Sequence, residues 1–592
     1  MNRQEKIISI LLGVALVWCL FSGGGSKKSE PQKKAAARPP AAERAEAQPA
    51  AAGQQKQPEA KAAPERDAAA ADFASLPAPK VPEQTVVLGD SELEIHVSTW
   101  GAVVKKAVLK EYSVEAGERG EKNPPVEIDY SASPLGAVYG VPGLAPNDAY
   151  SIVSQSEKSV LLTNGILKRT IELRDGYRIS VEDEFFDGRA PSGENAVSVG
   201  LMKMGRKDGD SLSVDSWSMD EKGGHVVHHD DDDTPLKALL AGGASGGCGG
   251  CGASRPAGGP IATVATIPGE QSWIAIKDRF FVTALVSSSR RNVGFRARVR
   301  RDATRSEFRL ADVGADVLFA DGGARRLDFF IGPKRQSLLW DLGMRDVMEF
   351  GMWRWLCYPV VWLLRTFHSV VPSYGIAIIL LTILVRLIFW PLTRKSTEGM
   401  KKMQELQPLL KEIQAKYKDN PQRLQQETWA LYREKKVNPL SSCLPMLVQI
   451  PVFIALFNVL RSAVELRYAG FLWISDLSEP EHLFPGIFPF GGLNPLPILM
   501  AVTMYLQSKL TPQTGDKSQQ RMMTVFMPVM MLVMFYNFAS ALSLYWTLSQ
   551  CMSILQAWMI RRSAQRAAAV EAEVIPPSAP TRQMRRHGAQ ES

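Results

Sequence analysis

The stretch Ile376-Ala-Ile-Ile-Leu-Leu-Thr-Ile-Leu-Val-Arg-Leu-Ile-Phe-Trp390 decides the fold class of this 592-residue chain. Only Thr382 and Arg386 interrupt its apolar side chains, and its flanks extend it to a predicted membrane span over about 374–392. Other segments are apolar in the same way: Ile7 to Phe21, 443–464, 495–510, 522–539 and 541–560. The sequence therefore predicts a polytopic α-helical membrane protein with six spans, five of them in a core over 373–560.

The N-terminal segment 1–22 has the charged start and apolar run of a signal sequence. Small residues follow it, so the sequence leaves open whether the segment stays as an anchor or is cleaved as a signal peptide. Residues 23–80 are rich in Ala, Pro and Lys and show no apolar periodicity before Phe73. They are predicted to form a disordered linker, because they have too little apolar surface to offset the entropy of ordering.

Residues 81–345 consist of short runs in which apolar and polar side chains alternate. Examples are Leu93-Glu-Ile-His-Val97 and Tyr177-Arg-Ile-Ser-Val-Glu182. Alternation with a period of two, broken by Gly, Asp, Asn and Pro, predicts a large all-β, antiparallel sandwich. A low-complexity insert rich in Gly, Asp and Cys interrupts the pattern at about 204–260.

Two cysteines in this insert, Cys248 and Cys251, could form a four-ligand metal site with His225 and His229. Glycines surround both cysteines, so a flexible loop without a metal is the other interpretation, and oxidation to a disulfide is a third. No other residues indicate a cofactor, and none is expected.

The net charge of +8 is divided unevenly along the chain. Residues 81–344 carry 31 Lys and Arg against 37 Asp and Glu, which is a net charge of −6. Residues 345–592 carry 26 against 16, which is +10. A basic protein suggests nucleic-acid binding, but here the positive charge lies between apolar segments, as in loops beside a membrane. No specific nucleic-acid partner is therefore predicted.

The positive-inside rule orients the predicted spans. The segment 393–440 has 11 basic and 6 acidic side chains, and the tail 561–592 has 6 basic and 3 acidic ones. Both are therefore placed in the cytoplasm. With six crossings, both termini face the cytoplasm, and the region 23–345 lies on the opposite side of the membrane.

Two segments beside the spans are predicted to be helical without crossing the membrane. Trp, Arg and aliphatic side chains mix over 346–372, which indicates an amphipathic helix in the membrane interface. In the segment 393–440, a break at Asp419-Asn-Pro421 separates two helical patterns and indicates a charged hairpin. The hairpin is either a solvated connector or a docking surface for cytoplasmic partners.

Arg386 is the most informative residue in the spans. A guanidinium at membrane depth costs from about 2.5 to more than 10 kcal/mol, so it is expected to face a wet cavity or a partner. The alternative is that Arg386 snorkels to the interface, because Pro391 and the cytoplasmic end of the span follow shortly after it. Thr382, one turn earlier on the same face, favours the cavity.

Polar side chains recur on several spans at helical spacing. In the last span they fall at i, i+4 and i+7, with two aromatic side chains beside them. The residues expected to share one hydrophilic cavity with Arg386 are Thr382, Gln449, Gln507, Ser543, Trp546, Thr547 and Gln550. For each of them, an ordinary hydrogen bond between helices is the alternative.

Methionines follow one face of the fifth span. They are Met523, Met527, Met530 and Met534. Such a stripe is usually core packing. Because methionine is flexible and fits many apolar shapes, the stripe would also suit an adaptable surface along which different apolar segments slide.

Several motifs are specific enough to indicate a family. They are Leu384-Val-Arg-Leu-Ile-Phe-Trp-Pro-Leu392, Ala430-Leu-Tyr-Arg-Glu-Lys-Lys-Val-Asn-Pro-Leu-Ser-Ser-Cys-Leu-Pro445, Gln449-Ile-Pro-Val-Phe453, Glu465-Leu-Arg467 and Phe526-Met-Pro528. Over about 350–560 the chain resembles the YidC-type membrane protein insertases, relatives of the mitochondrial oxidase-assembly and chloroplast albino insertases. The N-terminal anchor and the β-rich region resemble those of Gram-negative members more weakly.

The resemblance implies an inner-membrane protein that inserts and helps to fold other membrane proteins, alone or with the Sec translocon. Its first span would be retained and 23–345 would be periplasmic. Five spans would enclose a hydrophilic groove with Arg386, Thr382 and Trp546, and the apolar part of a substrate would leave along the third and fifth spans. The implied partners are nascent membrane proteins, the lipid bilayer, the Sec translocon and, at 393–440 and the basic tail, the ribosome and the signal recognition particle machinery.

Two other classes of membrane protein fit the residues poorly. A secondary transporter would have repeated halves with broken helices at matching positions, and the sequence has neither. An intramembrane protease needs a nucleophile or a metal site, yet there is no His-Glu-x-x-His motif, and the histidines after residue 350 are only His368, His482 and His587. No catalytic residue and no enzyme activity are therefore predicted. The nearer alternative to an insertase is an assembly scaffold that does not insert.

Overall fold

The computed structural model describes twelve stretches of the chain. They are 73–114, 123–186, 190–191, 193–202, 213–219, 225–229, 262–301, 311–348, 350–437, 444–484, 492–510 and 520–574. The segment 1–22, most of the linker 23–80, and Cys248 and Cys251 lie outside these residues, so the predictions about them stay predictions.

Antiparallel strands make up the described chain between Thr85 and Pro333. Their bounds are β1 Thr85–Gly89, β2 Leu93–Ser98, β3 Val103–Ser113, β4 Pro125–Asp129, β5 Val138–Tyr139, β6 Ser151–Gln155, β7 Ser159–Thr163, β8 Leu167–Arg174, β9 Arg178–Phe185, β10 Asn195–Met202, β11 Ser213–Met219, β12 His225–His229, β13 Ala262–Pro268, β14 Gln271–Lys277, β15 Phe281–Ser288, β16 Gly294–Arg301, β17 Ala311–Phe319 and β18 Arg325–Pro333. They form a four-stranded sheet β1-β2-β3-β4, a five-stranded sheet β13-β16-β17-β10-β5 and a nine-stranded sheet β12-β11-β14-β15-β18-β9-β8-β7-β6.

The alternating runs of the sequence fold as the predicted strands. In β8, Leu167, Arg169, Ile171 and Leu173 are buried while the alternate residues between them reach the surface, as the period of two requires. The five-stranded sheet packs on the nine-stranded sheet through contacts of β10 with β15 and of β14 with β17. The predicted antiparallel β-sandwich is therefore confirmed.

Two details refine the predicted boundaries of this β-domain. Phe73 is buried, and the Asn147 side chain donates a hydrogen bond to the Pro77 carbonyl at 2.8 Å, so the predicted linker 23–80 ends in residues that pack on the domain. The strands β11 and β12 lie inside the predicted insert at 204–260 and extend the nine-stranded sheet. β11 pairs with β14, and β12 pairs with β11, both in antiparallel register.

Helices make up most of the described chain after Pro333. Their bounds are α1 Gln336–Asp341, α2 Arg354–Val370, α3 Tyr374–Ile388, α4 Trp390–Glu405, α5 Gln407–Lys416, α6 Pro421–Glu434, α7 Leu444–Ser462, α8 Pro495–Leu510, α9 Met527–Phe535 and α10 Ser540–Val574. A π-helical segment, Met522–Phe526, leads directly into α9. In α2, one face with Cys357, Val361 and Leu364 is buried, whereas Trp355 and Trp362 are exposed on the other, as an interfacial helix requires.

The apolar stretch 376–390 forms most of α3, and the chain bends at its end. Phe389 ends α3, and α4 starts at Trp390 with Pro391 in its first turn, at an angle of 58°. Pro391 has no N–H to continue the hydrogen-bonding ladder of α3, which explains a break at this point. Within the described residues, no single helix is both long and apolar enough to cross a bilayer, whereas α3 and α4 together meet that criterion. The number of spans stays a prediction.

Helix packing places α10 at the centre of the helical part. It contacts α3, α7 and α8, while α2 packs on α3 and α7. At the predicted break, Asn420 accepts a hydrogen bond from the backbone N–H of Arg423 at 3.1 Å and so caps α6. The helices α5 and α6 on either side of this break contact each other, as the predicted hairpin requires.

Candidate functional site

Arg386 lies on the last turn of α3 and points to α10. Its Nε donates a hydrogen bond to Ser549 Oγ at 2.9 Å, and its Nη2 donates to the same oxygen. Ser549 is buried and Arg386 is half-buried. No carboxylate forms an ion pair with Arg386 among the residues that the structure describes. The guanidinium is therefore held by a neutral hydroxyl rather than by a carboxylate.

A second polar contact joins α7 to α10. The Gln449 side chain donates a hydrogen bond from Nε2 to the Tyr545 hydroxyl at 2.9 Å. Tyr545 lies one helical turn before Ser549, and the two side chains interact. Arg386, Ser549, Tyr545 and Gln449 thus form a continuous polar network across three helices.

The sequence prediction missed Ser549 and gave Tyr545 no role. Tyr545 and Ser549 share a face of α10 at i and i+4, a spacing that could have revealed them beside the stripe that was noticed. Which of the two faces of α10 meets Arg386 depends on how α3 and α10 pack. Only the tertiary structure supplies that information.

Two of the predicted hydroxyl residues, Thr382 and Thr547, donate hydrogen bonds to backbone carbonyls of their own helices. Thr382 is fully buried, and its Oγ1 donates to the Ile378 carbonyl at 2.7 Å. Thr547 Oγ1 donates to the Ser543 carbonyl at 2.8 Å. Both bonds are local contacts of the kind that serine and threonine make inside helices. The role of these residues in a shared cavity stays a prediction, as does that of Gln550, which is half-buried on α10.

Two polar groups on α10 have unmet hydrogen-bonding capacity. The indole N–H of Trp546 and the hydroxyl of Ser543 are buried and have no partner among the described residues. The Trp546 ring packs edge-on against Phe453, with ring centroids 4.9 Å apart, and also contacts Phe535. Buried polar atoms in native proteins are nearly always paired, so these two call for a partner. Gln507 lies half-buried on α8, which packs against α10.

The four methionines of the predicted sliding surface are divided between surface and core. Met523 is 42% exposed, Met527 and Met530 are half-buried, and Met534 packs against the apolar core. A larger exposed apolar ridge on the same segment consists of Val525, Phe526, Val529 and Val533. The sliding surface stays a prediction, and this ridge lies beside its methionines in the sequence.

The candidate metal ligands of the insert cannot be assembled from the described residues. Cys248 and Cys251 lie outside them, and His225 and His229 are the first and last residues of β12. Elsewhere in the described ranges, no three His, Cys, Asp or Glu side chains are grouped as metal ligands. The metal, loop and disulfide interpretations of the insert all stay open.

Two family models match adjacent parts of the chain. One, described as the YidC periplasmic domain, matches residues 261–363, and the other, described as the 60Kd inner membrane protein, matches residues 366–567. Over these two ranges the chain is similar to the YidC family. The second match contains all the residues predicted for the groove and the sliding surface, including the network around Arg386.

Two similar proteins are both named membrane protein insertase YidC. The membrane protein insertase YidC of Syntrophobacter fumaroxidans is 40% identical over 301 residues, which are 50% of this chain and 54% of the relative. That of Syntrophus aciditrophicus is 44% identical over 239 residues, 40% of this chain and 42% of the relative. The match thus spans about half the length of these relatives. Both are named as insertases rather than as enzymes, in agreement with the prediction for this chain.

The chain was also matched to a solved crystal structure of an active YidC insertase. It is 19% identical, with 82% of this chain and 94% of that chain covered, and the TM-score is 0.33. With so low a TM-score, the similarity to the YidC family rests on the sequence matches.

Proposed function

We propose that the chain is a membrane protein insertase and chaperone of the inner membrane. The observation that carries the proposal is Arg386, a half-buried guanidinium among apolar helices whose partner is the neutral Ser549. A fixed positive charge of this kind attracts an acidic or polar segment and lowers the cost of moving it partway across a bilayer. Trp546 and Ser543 supply further unpaired polar groups on α10 for a hydrophilic segment.

The same proposal covers the arrangement in the membrane. It has six spans, both termini in the cytoplasm and the β-domain in the periplasm, and the charge distribution supports this orientation. Nascent membrane proteins are the substrates, and the Sec translocon is a partner. The hairpin of α5 and α6 exposes Leu409 and Trp429, which supports a docking role toward the ribosome or the signal recognition particle machinery.

Site-specific photocrosslinking tests the insertase against an assembly scaffold. Crosslinkers at positions 386 and 546 are expected to capture the polar segment of a nascent chain while it is still crossing the membrane. A crosslinker at Val153, which is 58% exposed on β6, is the control and should capture none at that stage. Contacts made only with finished spans would support the scaffold and reject the insertase.

Replacing Ser549 by alanine is expected to reduce insertion of substrates with acidic translocated tails about tenfold. The change removes the oxygen to which Arg386 donates, and a hydrogen bond to a charged group contributes about 1.5 kcal/mol. Threonine at this position keeps the hydroxyl and should restore most of the activity. The measurement is the fraction of a reporter protein inserted into proteoliposomes.

Ser553→Ala is the matched control for this prediction. Ser553 lies one turn further along α10, and its hydroxyl donates only to the Ser549 backbone carbonyl, at 3.0 Å. Its replacement should leave insertion unchanged. Equal activity of Ser549→Ala and the wild type would mean that Ser549 does not hold Arg386 in a working position.

A further inference from the structure

Arg279 projects from the β-domain toward the helices on a rigid turn. It lies between β14 and β15, where the Asp278 carboxylate accepts hydrogen bonds from the backbone N–H groups of Phe280 and Phe281. Lys334 Nζ donates to the Asp278 carbonyl at 3.0 Å and braces the turn from β18. The turn therefore has little freedom, and the position of Arg279 is set by the β-sheet.

Among the described residues, the hydrogen bonds of the Arg279 guanidinium go to groups outside the β-domain, while its face lies over the Phe280 ring, 4.7 Å from the ring centre. Nε donates to the carbonyl of Arg461 in the last turn of α7 at 2.8 Å, and Nη2 donates to the carbonyl of Ser478 at 2.6 Å. Nη1 forms an ion pair with the Glu479 carboxylate. The planar fork of arginine suits such simultaneous contacts, which a point charge on a flexible chain cannot reproduce.

The same loop holds the first turn of α10. The Glu479 carbonyl accepts hydrogen bonds from the backbone N–H of Ser540 at 2.9 Å and from the Ser540 hydroxyl. The Leu477 carbonyl accepts from the backbone N–H of Ala541 at 2.9 Å. The first N–H groups of a helix have no partner inside it, so these carbonyls fix where α10 begins.

A second contact anchors the start of this loop to the β-domain. Arg467 Nη1 donates to the Ser113 carbonyl at 2.9 Å, and its guanidinium lies 5.1 Å from the centre of the Phe281 ring. The Tyr468 hydroxyl donates to the carbonyl of Val114. The loop after α7 is therefore attached to the β-domain at Arg467 and Tyr468 as well as at Arg279. The ion pair of Arg279 falls on Glu479, the residue whose carbonyl holds Ser540.

We propose that Arg279 is a positioning residue through which the β-domain sets the place of α10, and with it Tyr545 and Ser549, relative to Arg386. The chain of contacts runs from the β14–β15 turn through Ser478 and Glu479 to Ser540. Its consequence for insertion rests on the proposed function, but its effect on the start of α10 does not. In this role the β-domain is a brace for α10.

Hydrogen exchange at the Ser540 and Ala541 amides tests the contact directly in the full-length protein. Arg279→Ala is expected to speed exchange at both amides by about tenfold, the loss expected for a hydrogen-bond network to a charged group. Arg279→Lys should give a smaller increase. Arg291→Ala is the matched control, because Arg291 is 89% exposed in the same domain and pairs only loosely with Glu270.

Insertion assays separate positioning from a general structural role. Arg279→Ala should reduce insertion of substrates with acidic tails more than that of substrates with neutral tails, because it displaces the partner of Arg386. Its effect should not add to that of Ser549→Ala, since both changes act on the same contact. An equal loss for both kinds of substrate would overturn the positioning role.

Unchanged exchange at Ser540 and Ala541 in Arg279→Ala would overturn the proposal. If that variant unfolds, Arg279→Lys keeps the charge and decides the question: faster exchange at the two amides supports the brace, and wild-type exchange rejects it. Should the wild-type protein fail to insert any substrate, the insertase proposal fails, whereas the exchange result still decides whether Arg279 holds α10.

Discussion

Arg386→Ala lowers the insertion of substrates with acidic translocated tails by an expected 10- to 100-fold, on the order of the cost of leaving a charge uncompensated at membrane depth. Arg386 donates to Ser549 alone, and no carboxylate among the described residues neutralises it. Its charge is therefore available to an acidic segment of the substrate. Substrates with neutral tails should lose much less.

The experiment compares reporters that differ only in the charge of the translocated tail. Arg386→Lys keeps the charge but loses the fork that binds Ser549 through two nitrogen atoms, so it should retain part of the activity. Arg394→Ala is the matched control, because Arg394 is exposed on α4 and pairs with Glu398 one turn away. Normal insertion of every reporter by Arg386→Ala would show that the groove mechanism does not depend on this charge.

Replacing Asp183 by asparagine is expected to destabilise the β-domain by about 3–5 kcal/mol. Asp183 is fully buried between two arginines: Arg169 donates to both carboxylate oxygens at 2.6 and 2.9 Å, and Arg325 donates to one of them at 3.0 Å. Without the carboxylate, two buried guanidinium groups lose their counter-charge. The measurement is denaturant-induced unfolding of the full-length protein, followed by the fluorescence of the tryptophans in the β-domain.

Asp175→Asn provides the control for this prediction. Asp175 is 88% exposed and pairs with Lys158 at 3.0 Å, so its replacement should change stability by less than about 0.5 kcal/mol. A change of similar size in the two variants would show that the buried pairing of Asp183 contributes nothing beyond a surface ion pair.

The same carboxylate predicts a pH dependence. Burial alone would raise the pKa of Asp183, but the charges of Arg169 and Arg325 outweigh burial and hold the pKa below its ordinary value. The stabilisation is then fully present above the ordinary aspartate pKa and is lost as the pH falls through the lower pKa of the folded state. Unfolding at acidic pH should show this loss in the wild type and not in Asp183→Asn.

Periodicity alone was sufficient to predict several of the elements. The alternation in Leu93-Glu-Ile-His-Val97 predicted β2, and the apolar run around Leu381 predicted α3. These predictions work because each element buries one face, and the burial of a face leaves its period in the chain. The bend after Ile388 was less evident, although Pro391 marks the place where the helix cannot continue.

Periodicity did not predict the contacts between parts of the chain that are distant in sequence. Arg169 occupies an inward position of β8, where the pattern asks for an apolar side chain, and its partner Asp183 lies on β9. Arg325 reaches the same carboxylate from β18, 142 residues further on. Nothing local to any of the three residues indicates that they form ion pairs with one another in the core.

The sequence by itself predicted the membrane class, the β-domain and the YidC resemblance and singled out Arg386 as a candidate, because apolar periodicity, charge distribution and an isolated cation in an apolar run are local properties. Only the tertiary structure decided that Ser549 is the partner of Arg386 and that Arg279 joins the β-domain to the start of α10. The physical reason is that these contacts depend on the packing of helices and sheets that are far apart in the chain, and periodicity within one element carries no information about its neighbour.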